Sequence, residues 1–222
     1  MTRPRGPARL TLLGVGLFWV GVFVAGSLVE GYEHRDDYIS SLAGRGSPVA
    51  ALGVAALLGS ALAHAAASWA VRGARDSRLV AALLLASGVA IVVIAVFPQS
   101  CRSGPAGCGT VDDSPGDWIG TVHVAGVVAY ELVAIAALVT VAVAALGRRA
   151  TFPRWLGPTS LVLAGVSVVL LSRVGGDDTG LWQRLWVVTH HAWLLILAWL
   201  PVLRPSATVE RPVDRHRRVS GR

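Results

Sequence analysis

The sequence predicts an all-α, polytopic transmembrane protein built as a six-helix bundle, and three observations support this class. Of the 222 residues, 54% are hydrophobic and only 15% are charged, whereas about a quarter of the residues of a soluble domain are charged. The apolar residues fall into six runs, each close to the roughly 20 residues that span a bilayer. The arginines cluster between these runs, and the chain contains no lysine. A soluble core could not bury this much apolar surface, so we expect the lipid bilayer to be a partner.

The first run, residues 10–29, follows a basic N-terminus and therefore has some features of a secretory signal peptide. Ala25-Gly26-Ser27 imitates a cleavage site. The run has about twenty residues, which is longer than the usual apolar core of a signal peptide and long enough to span. We therefore predict an uncleaved first helix, and cleavage would leave five helices.

Five further runs are separated by polar turns and cover residues 49–71, 79–97, 119–146, 155–172 and 181–203. Pro98 ends the third run and Pro205 follows the sixth, because proline cannot continue a helix. We predict that residues 1–203 form one six-span transmembrane domain. The arginine-rich residues 204–222 are predicted to be a disordered cytoplasmic tail.

The distribution of arginine predicts that both termini lie in the cytoplasm (N-in, C-in). Arginines concentrate at the N-terminus, in the turns after the second and fourth runs, and in the tail, whereas the opposite side has few. Cytoplasmic loops of membrane proteins carry this excess. The sequence thus predicts a multi-pass protein of the cell (plasma) membrane. Although the formal charge is +7, this clustering argues against nucleic acid as a partner.

A polar cluster is predicted in the fourth and sixth runs. His123 and Glu131 lie where hydrocarbon is expected, and ionisable residues inside a span are costly and therefore candidates for function. Eight residues rotate about 80° on a helix, so both can share one face. His190 and His191 fall at intermediate depth, at about 1.5 Å per residue. We expect all four to meet in the outer half of the bundle, either as a functional pocket or as a network that locks helix packing.

A second candidate site is a polar rim on the outer side. Its residues come from the segment after the first run, from the turn before the sixth run and from the start of the sixth run: Asp36, Asp37, Ser40, Ser41, Arg173 and Arg184. Charges of both signs at one rim can bind a polar head group or pair with each other. No G-x-S-x-G motif surrounds the two serines, which argues against a serine hydrolase at the rim.

The two cysteines, Cys101 and Cys108, lie on the predicted outer side and are separated by a Gly/Pro-containing linker. An oxidising compartment favours a disulfide that closes a small loop. A structural zinc site would need two more ligands at suitable positions. We therefore predict a disulfide, no metal at this position and no cofactor.

Short motifs at four places resemble a known family. They are Tyr38-Ile39-Ser40-Ser41-Leu42 after the first run, Phe97-Pro98 at the end of the third, His123 in the fourth, and Gly180-Leu181-Trp182-Gln183-Arg184 before the sixth. Together they resemble DUF998, a family of bacterial integral membrane proteins of unknown function. The resemblance implies a six-helix bundle and no established activity. The first outer loop is also similar to that of Frag1/DRAM-type membrane proteins.

The leading functional hypothesis is a protein that binds or moves a lipid or small amphiphile through an outer-facing polar pocket. The alternatives are a metal-dependent hydrolase that uses His123, His190 and His191, haem ligation by His123 and His190, proton-linked transport, and a structural or assembly role. No H-E-x-x-H or C-x-x-C-H motif occurs, and no internal repeat of the transporter type is evident. His64 is expected to bond a neighbour or to extend toward the interface. Protein partners are not predicted.

Overall fold

The computed structural model describes residues 5–72, 77–99, 117–147 and 152–203, and within these ranges the chain is entirely helical apart from its turns. The helices are α1 (Gly6–Ser27), α2 (Ala50–Val71), α3 (Arg78–Val96), α4 (Trp118–Leu146), α5 (Leu156–Leu171) and α6 (Thr179–Leu203), with a 3-10 turn at Ile39–Ala43. The described ranges contain no strand. The predicted all-α class is confirmed, and each predicted apolar run corresponds to one helix.

Four of these helices, α1 to α4, are long and apolar enough to cross a membrane. The shortest of them, α3, has 19 residues, or about 28 Å at 1.5 Å per residue, close to the thickness of a bilayer core. Large apolar side chains such as Val143, 68% exposed, and Leu132, 64% exposed, point outward where a soluble bundle would carry polar groups. These features identify a membrane protein. α5 is a shorter apolar helix of 16 residues.

The helices pack in chain order, since each of α1 to α5 lies against its successor, and α6 returns against α1, α2 and α5. The contact between α1 and α2 is especially close. A Cβ atom at Gly14 would lie 2.5 Å from the carbonyl oxygen of Gly59 and 2.7 Å from the backbone nitrogen of Ala63. Small residues allow helix backbones in membranes to approach in this way. Glycine is therefore required at position 14 for this packing.

Residues 28–49 fold over one end of the bundle, which we call the loop end. The 3-10 turn packs on α2, α1 and α6 and buries Ile39 and Leu42. Two backbone hydrogen bonds fix its flanks: the Arg45 N–H donates to the Gln99 carbonyl at 2.9 Å, and the Leu181 N–H donates to the Arg35 carbonyl at 2.7 Å. The segment is therefore attached both beyond the end of α3 and near the start of α6.

Two groups of buried apolar side chains fill the bundle. The group in the loop half includes Phe18, Ile91 and Trp186. The group in the opposite half includes Leu138 and Trp193, both fully buried. The candidate site described next lies within the first group.

Candidate functional site

A half-open cavity lies between the 3-10 turn and helices α1, α2, α3, α4 and α6. Its apolar wall is formed by Phe18, Ile39, Leu57, Ile91, Ile94, Val127 and Val187, and its polar wall by Ser40, Ser60, Tyr130, Glu131, Gln183 and Trp186. The empty space is about 510 Å³ including the mouth, but the centres of water-sized atoms can move through only about 60 Å³. This corresponds to about four water molecules. The cavity is therefore sized for part of an amphiphile and not for a whole lipid.

Two buried hydrogen-bond donors on the cavity wall have no acceptor. Tyr130 is 6% exposed and Trp186 is 3% exposed. Among the described residues, neither the Tyr130 hydroxyl nor the Trp186 indole Nε1–H has a hydrogen-bond partner. An unmade hydrogen bond of a buried polar group costs about 1–3 kcal/mol, so such groups are rare in native structures and call for an explanation. Both side chains belong to the residues that line the cavity.

Glu131 contributes a carboxylate to the same wall. It is half-buried and lines the cavity together with Gln183 and Trp186 of α6. It makes no hydrogen bond or ion pair with any described residue, so the partner that we expected on α6 is not found in the described part of the chain. The Gln183 side-chain oxygen instead accepts the backbone N–H of Ile39 at 2.7 Å. The carboxylate thus faces the cavity.

Behind the polar wall, three histidines gather from α2 and α6. The Ser60 hydroxyl lies 2.9 Å from Nε2 of His191. The His64 Nδ1–H donates to the Ser60 carbonyl at 2.8 Å, and the His190 Nδ1–H donates to the Trp186 carbonyl at 3.2 Å. His190 Nε2 and His191 Nδ1 have no partner among the described residues. Of the five buried side-chain nitrogen and oxygen atoms without a partner among the described residues, four therefore lie on or behind the wall of this cavity, and the fifth is Nε of Arg184.

His123 does not join this group. Its Nδ1–H donates to the Phe97 carbonyl at 2.9 Å, which ties the start of α4 to the end of α3. His123 is buried but does not line the cavity. The structure therefore places Glu131 of α4 on the cavity wall, His190 and His191 of α6 behind that wall, and His123 at a separate helix junction.

Arg184 holds the rim together from the start of α6. One guanidinium nitrogen donates to the carbonyls of Asp37 at 2.8 Å and Gly180 at 2.9 Å. The other donates to the Tyr32 hydroxyl and lies 3.2 Å from Nδ1 of His34. The cation also lies over the Tyr32 ring, 5.7 Å from its centroid. This buried arginine therefore clamps residues 32–37 onto α6.

The two ring side chains that contact Arg184, Tyr32 and His34, are neutral at neutral pH. Burial raises the pKa of the Tyr32 hydroxyl, which stays protonated. Burial, assisted by the neighbouring Arg184 charge, lowers the pKa of His34. A neutral His34 can accept the Arg184 N–H through Nδ1, whereas a protonated ring would repel the guanidinium.

The two predicted rim serines belong to the 3-10 turn. Ser40 lines the cavity, and its hydroxyl donates to the side-chain oxygen of Gln99 at 3.4 Å. The Ser41 hydroxyl donates to the Tyr38 carbonyl at 2.7 Å. Ser40 is therefore the rim residue that also reaches the cavity.

Of the three remaining predicted rim residues, Asp36, Asp37 and Arg173, one is buried and two are exposed. The buried Asp37 accepts the backbone N–H of Glu33 at 2.7 Å. Asp36 and Arg173 are exposed at the surface. Four of the six predicted rim residues thus build the folded segment, and these two face outward.

Two further ion pairs connect residues 28–49 to the starts of α6 and α4. Arg35 binds Asp178 in the turn before α6, and this contact holds the pKa of the Asp178 carboxyl below its usual range. Arg45 binds Asp117 at the start of α4, at 2.7 Å. Exposed pairs of this kind contribute little to stability. Their role is to position the segment over the cavity.

Comparison with protein families identifies the chain. It matches the family model of DUF998, described as a protein of unknown function, over residues 12–200. The chain belongs to the DUF998 family. The match spans the cavity and the histidines behind it, and it confirms the resemblance seen in the sequence. A comparison with curated proteins and with solved structures gives no match. The likeness to Frag1/DRAM-type proteins stays a prediction.

Several residues of this DUF998 protein belong to the site although they were not predicted from the sequence as site residues. Ser60 and His64 are four residues apart on α2 and so share a helix face. That spacing was the available signal, and the expectation that His64 bonds a neighbour agrees with its hydrogen bond to Ser60. Trp186 is buried in the bundle, and its indole N–H has no partner among the described residues.

The residues considered for metal chemistry do not fit a metal site. Within the described ranges, no group of three histidine, cysteine, aspartate or glutamate side chains could hold a metal ion. His123, one of the three proposed ligands, bonds a backbone carbonyl elsewhere. Neither it nor His190, the pair considered for haem, lines the cavity. Cys101 and Cys108 lie outside the described residues, so their disulfide stays a prediction.

Proposed function

We propose that this DUF998 protein binds a lipid or small amphiphile in the cavity beneath the 3-10 turn. The observation that carries the proposal is the coincidence of an apolar wall with buried polar groups that lack partners. Ligand sites have this composition: mostly hydrophobic walls with a few convergent polar groups. A polar network whose role is packing would be expected to satisfy its own hydrogen bonds, because unsatisfied networks are costly.

The wall also suggests the chemistry of the ligand. Tyr130 and Trp186 offer donors, so the ligand carries an acceptor such as a carbonyl oxygen. Glu131 offers an acceptor, so the ligand also carries a donor such as a hydroxyl or amide N–H. The small volume admits this polar group and a short stretch of chain. The rest of the molecule would lie along the exposed apolar helix faces.

We further propose that all six helices cross the plasma membrane with both termini in the cytoplasm, so that the loop end faces outward. The arginine distribution supports this orientation. α6 has 25 residues, or about 37 Å, which is enough to span. α5, with 16 residues, reaches only about 24 Å and would need a locally thin bilayer or help from its flanking turns. In this orientation the ligand enters from the outer leaflet.

Native mass spectrometry of protein extracted in a mild detergent tests the binding proposal. We expect wild-type protein to carry an amphiphile, and we expect Tyr130→Phe to lower its occupancy at a given ligand concentration. Loss of one hydrogen bond, about 0.5–1.5 kcal/mol, corresponds to about a 2- to 10-fold weaker affinity. Because the hydroxyl has no partner within the described protein, Tyr130→Phe should not lower the thermal stability of ligand-free protein.

The matched comparison is Trp186→Phe against Trp155→Phe. Trp186 lines the cavity, whereas Trp155 is 51% exposed at the start of α5. Only the first substitution should reduce occupancy. Wild-type protein without any bound amphiphile, either co-purified or after addition of extracted membrane lipids, would contradict the proposal. So would a Glu131→Gln variant that loses stability while its ligand occupancy stays normal, because that outcome indicates a packing role.

A further inference from the structure

We propose that Ser60 and His191 form a nucleophile and general-base pair that cleaves an ester of the amphiphile bound in the cavity. The inference rests on the proposed function, because it takes the bound amphiphile as its substrate. It adds an activity, acyl-ester hydrolysis, and assigns it to two residues of α2 and α6.

The first support is the hydrogen-bonding behaviour of Ser60. A helical serine or threonine in an apolar environment usually donates to the carbonyl four residues earlier. Thr11, Ser87 and Ser167 of this chain do so. Ser60 instead meets a histidine from another helix, with Oγ and Nε2 2.9 Å apart. This distance is within the range expected for a nucleophile and its base.

The second support is the position of the two side chains relative to the cavity. Ser60 lines the cavity, and His191 lies behind it, 1% exposed. Rings of Phe18 and Trp19 contact the imidazole edge-on, with centroid distances of 4.9 and 6.0 Å. These contacts fix the orientation of the ring. Nδ1 has no partner among the described residues, so packing takes the orienting role that a carboxylate has in many such sites.

The third support is the pair of unpaired donors on the same wall. The Tyr130 hydroxyl and the Trp186 indole N–H have no partner among the described residues, and both side chains line the cavity together with Ser60. Donors held in place in a water-poor site stabilise the negative charge that forms on the carbonyl oxygen during acyl transfer. Tyr130 and Trp186 pack edge-to-face, with ring centroids 5.1 Å apart, so the donors come from one rigid unit.

The proposed reaction has two steps. In the first, Ser60 Oγ bonds to the ester carbonyl carbon while its proton passes to His191 Nε2, and the C=O π electrons move to the oxygen. The ester C–O bond then breaks, and the leaving oxygen takes the proton from His191 and departs as an alcohol. In the second step, water gives a proton to His191 and attacks the acyl group. Release of the carboxylic acid restores Ser60 and neutral His191.

Labelling with a fluorescent alkyl fluorophosphonate tests the pair, because this reagent reacts covalently with activated serine hydroxyls. We expect folded wild-type protein in mild detergent to be labelled, and peptide mass spectrometry to place the adduct on Ser60. Ser60→Ala should abolish labelling, and His191→Gln should slow it at least tenfold. Hydrolysis of 4-nitrophenyl octanoate should be lost in both variants.

Ser167→Ala is the matched control, since Ser167 is also buried but bonds its own helix, and it should label like wild type at Ser60. Thermal unfolding confirms that each variant is folded. Should Ser60→Ala fail to fold, His191→Gln carries the test. A folded wild type without an adduct on Ser60, or a His191→Gln variant labelled at the wild-type rate, overturns the inference. Native mass spectra of the same samples separate the two proposals: bound amphiphile without labelling leaves the binding function standing, whereas absence of both overturns both.

Discussion

At the scale of single residues, Arg184 and Glu131 show how differently this bundle treats its ionisable groups. The two terminal nitrogens of the Arg184 guanidinium donate to acceptors from residues 32–37 and from its own helix, whereas Nε has no partner among the described residues. The carboxylate of Glu131 faces a cavity and meets no described partner. An ionisable group with partners from the protein serves structure, whereas a carboxyl group on a cavity wall is available to a ligand.

Replacing Arg184 by glutamine should therefore destabilise the protein. The substitution leaves the buried carbonyls of Asp37 and Gly180 without their charged donor. Hydrogen bonds to charged groups contribute about 1.5–3 kcal/mol, so a loss of about 3 kcal/mol in the free energy of unfolding is expected. The measurement is chemical or thermal unfolding in detergent.

Arg173→Gln is the control for this prediction. Both arginines flank the turn between α5 and α6 and were predicted together as rim residues, but Arg173 is exposed. Its substitution should change the free energy of unfolding by less than about 0.5 kcal/mol. An equal change in the free energy of unfolding for the two substitutions would mean that Arg184 does not hold residues 32–37 on α6.

The residues that the sequence could predict were those whose chemistry conflicts with an apolar span. Glu131, His190 and His191 stand out for this reason, and the structure places Glu131 on the cavity wall and both histidines behind it. Ser60 and Trp186 were not predictable, because serine and tryptophan are ordinary in membrane helices. Their importance depends on which helix faces they occupy, and His123, equally conspicuous in sequence, turns toward α3 instead.

At the scale of the helices, the close packing of α1 against α2 fixes one wall of the cavity. Phe18 and Ser60, on these two helices, both line it. Their relative position depends on the close approach at Gly14 described above. A change in the spacing of these helices would move the cavity wall.

Gly14→Ala should therefore separate the two helices. The added Cβ would lie within 3 Å of backbone atoms of α2, and backbone cannot give way as a side-chain end can. Overpacking costs about 1–3 kcal/mol.

Gly16→Ala is the matched control in the same helix, because nothing lies within 4 Å of a Cβ placed there. It should be neutral or stabilise by up to about 1 kcal/mol through helix propensity. The melting temperatures of the two variants in detergent measure these effects. Equal melting temperatures for Gly14→Ala and Gly16→Ala would refute the close contact between α1 and α2.

The helices themselves were predictable, since long apolar runs bounded by polar turns leave few alternatives. Predicted and observed boundaries differ by a few residues; α1, for example, begins at Gly6 instead of residue 10. Proline is tolerated in the first turn of a helix, so Pro7 does not delay its start. The pairing of helices was not predictable. Small residues recur on many faces of these helices, and only the assembled bundle shows that α6 returns against α1 and α2.

At the scale of the whole molecule, the proposed six crossings place the cavity in the outer half of the membrane. This placement depends most on α5, which is the shortest helix. Trp155, exposed at its start, suits an interface position. If α5 did not cross, Gly147 after α4 and Gly176 after α5 would lie on the same side.

Cysteine accessibility in intact cells tests this topology. In a background that carries Cys101→Ser and Cys108→Ser, a membrane-impermeant maleimide should label Gly176→Cys and should not label Gly147→Cys until the cells are lysed. Both glycines are exposed, so lysis should make both sites reactive and provides the control. A C-terminal tag should resist external protease. The same result for both cysteines before lysis, whether both are unlabelled or both are labelled, would mean that α5 does not cross. The reverse pattern would mean that the loop end faces the cytoplasm. In that case the ligand would come from the inner leaflet, although the cavity and its unpaired donors would be unchanged.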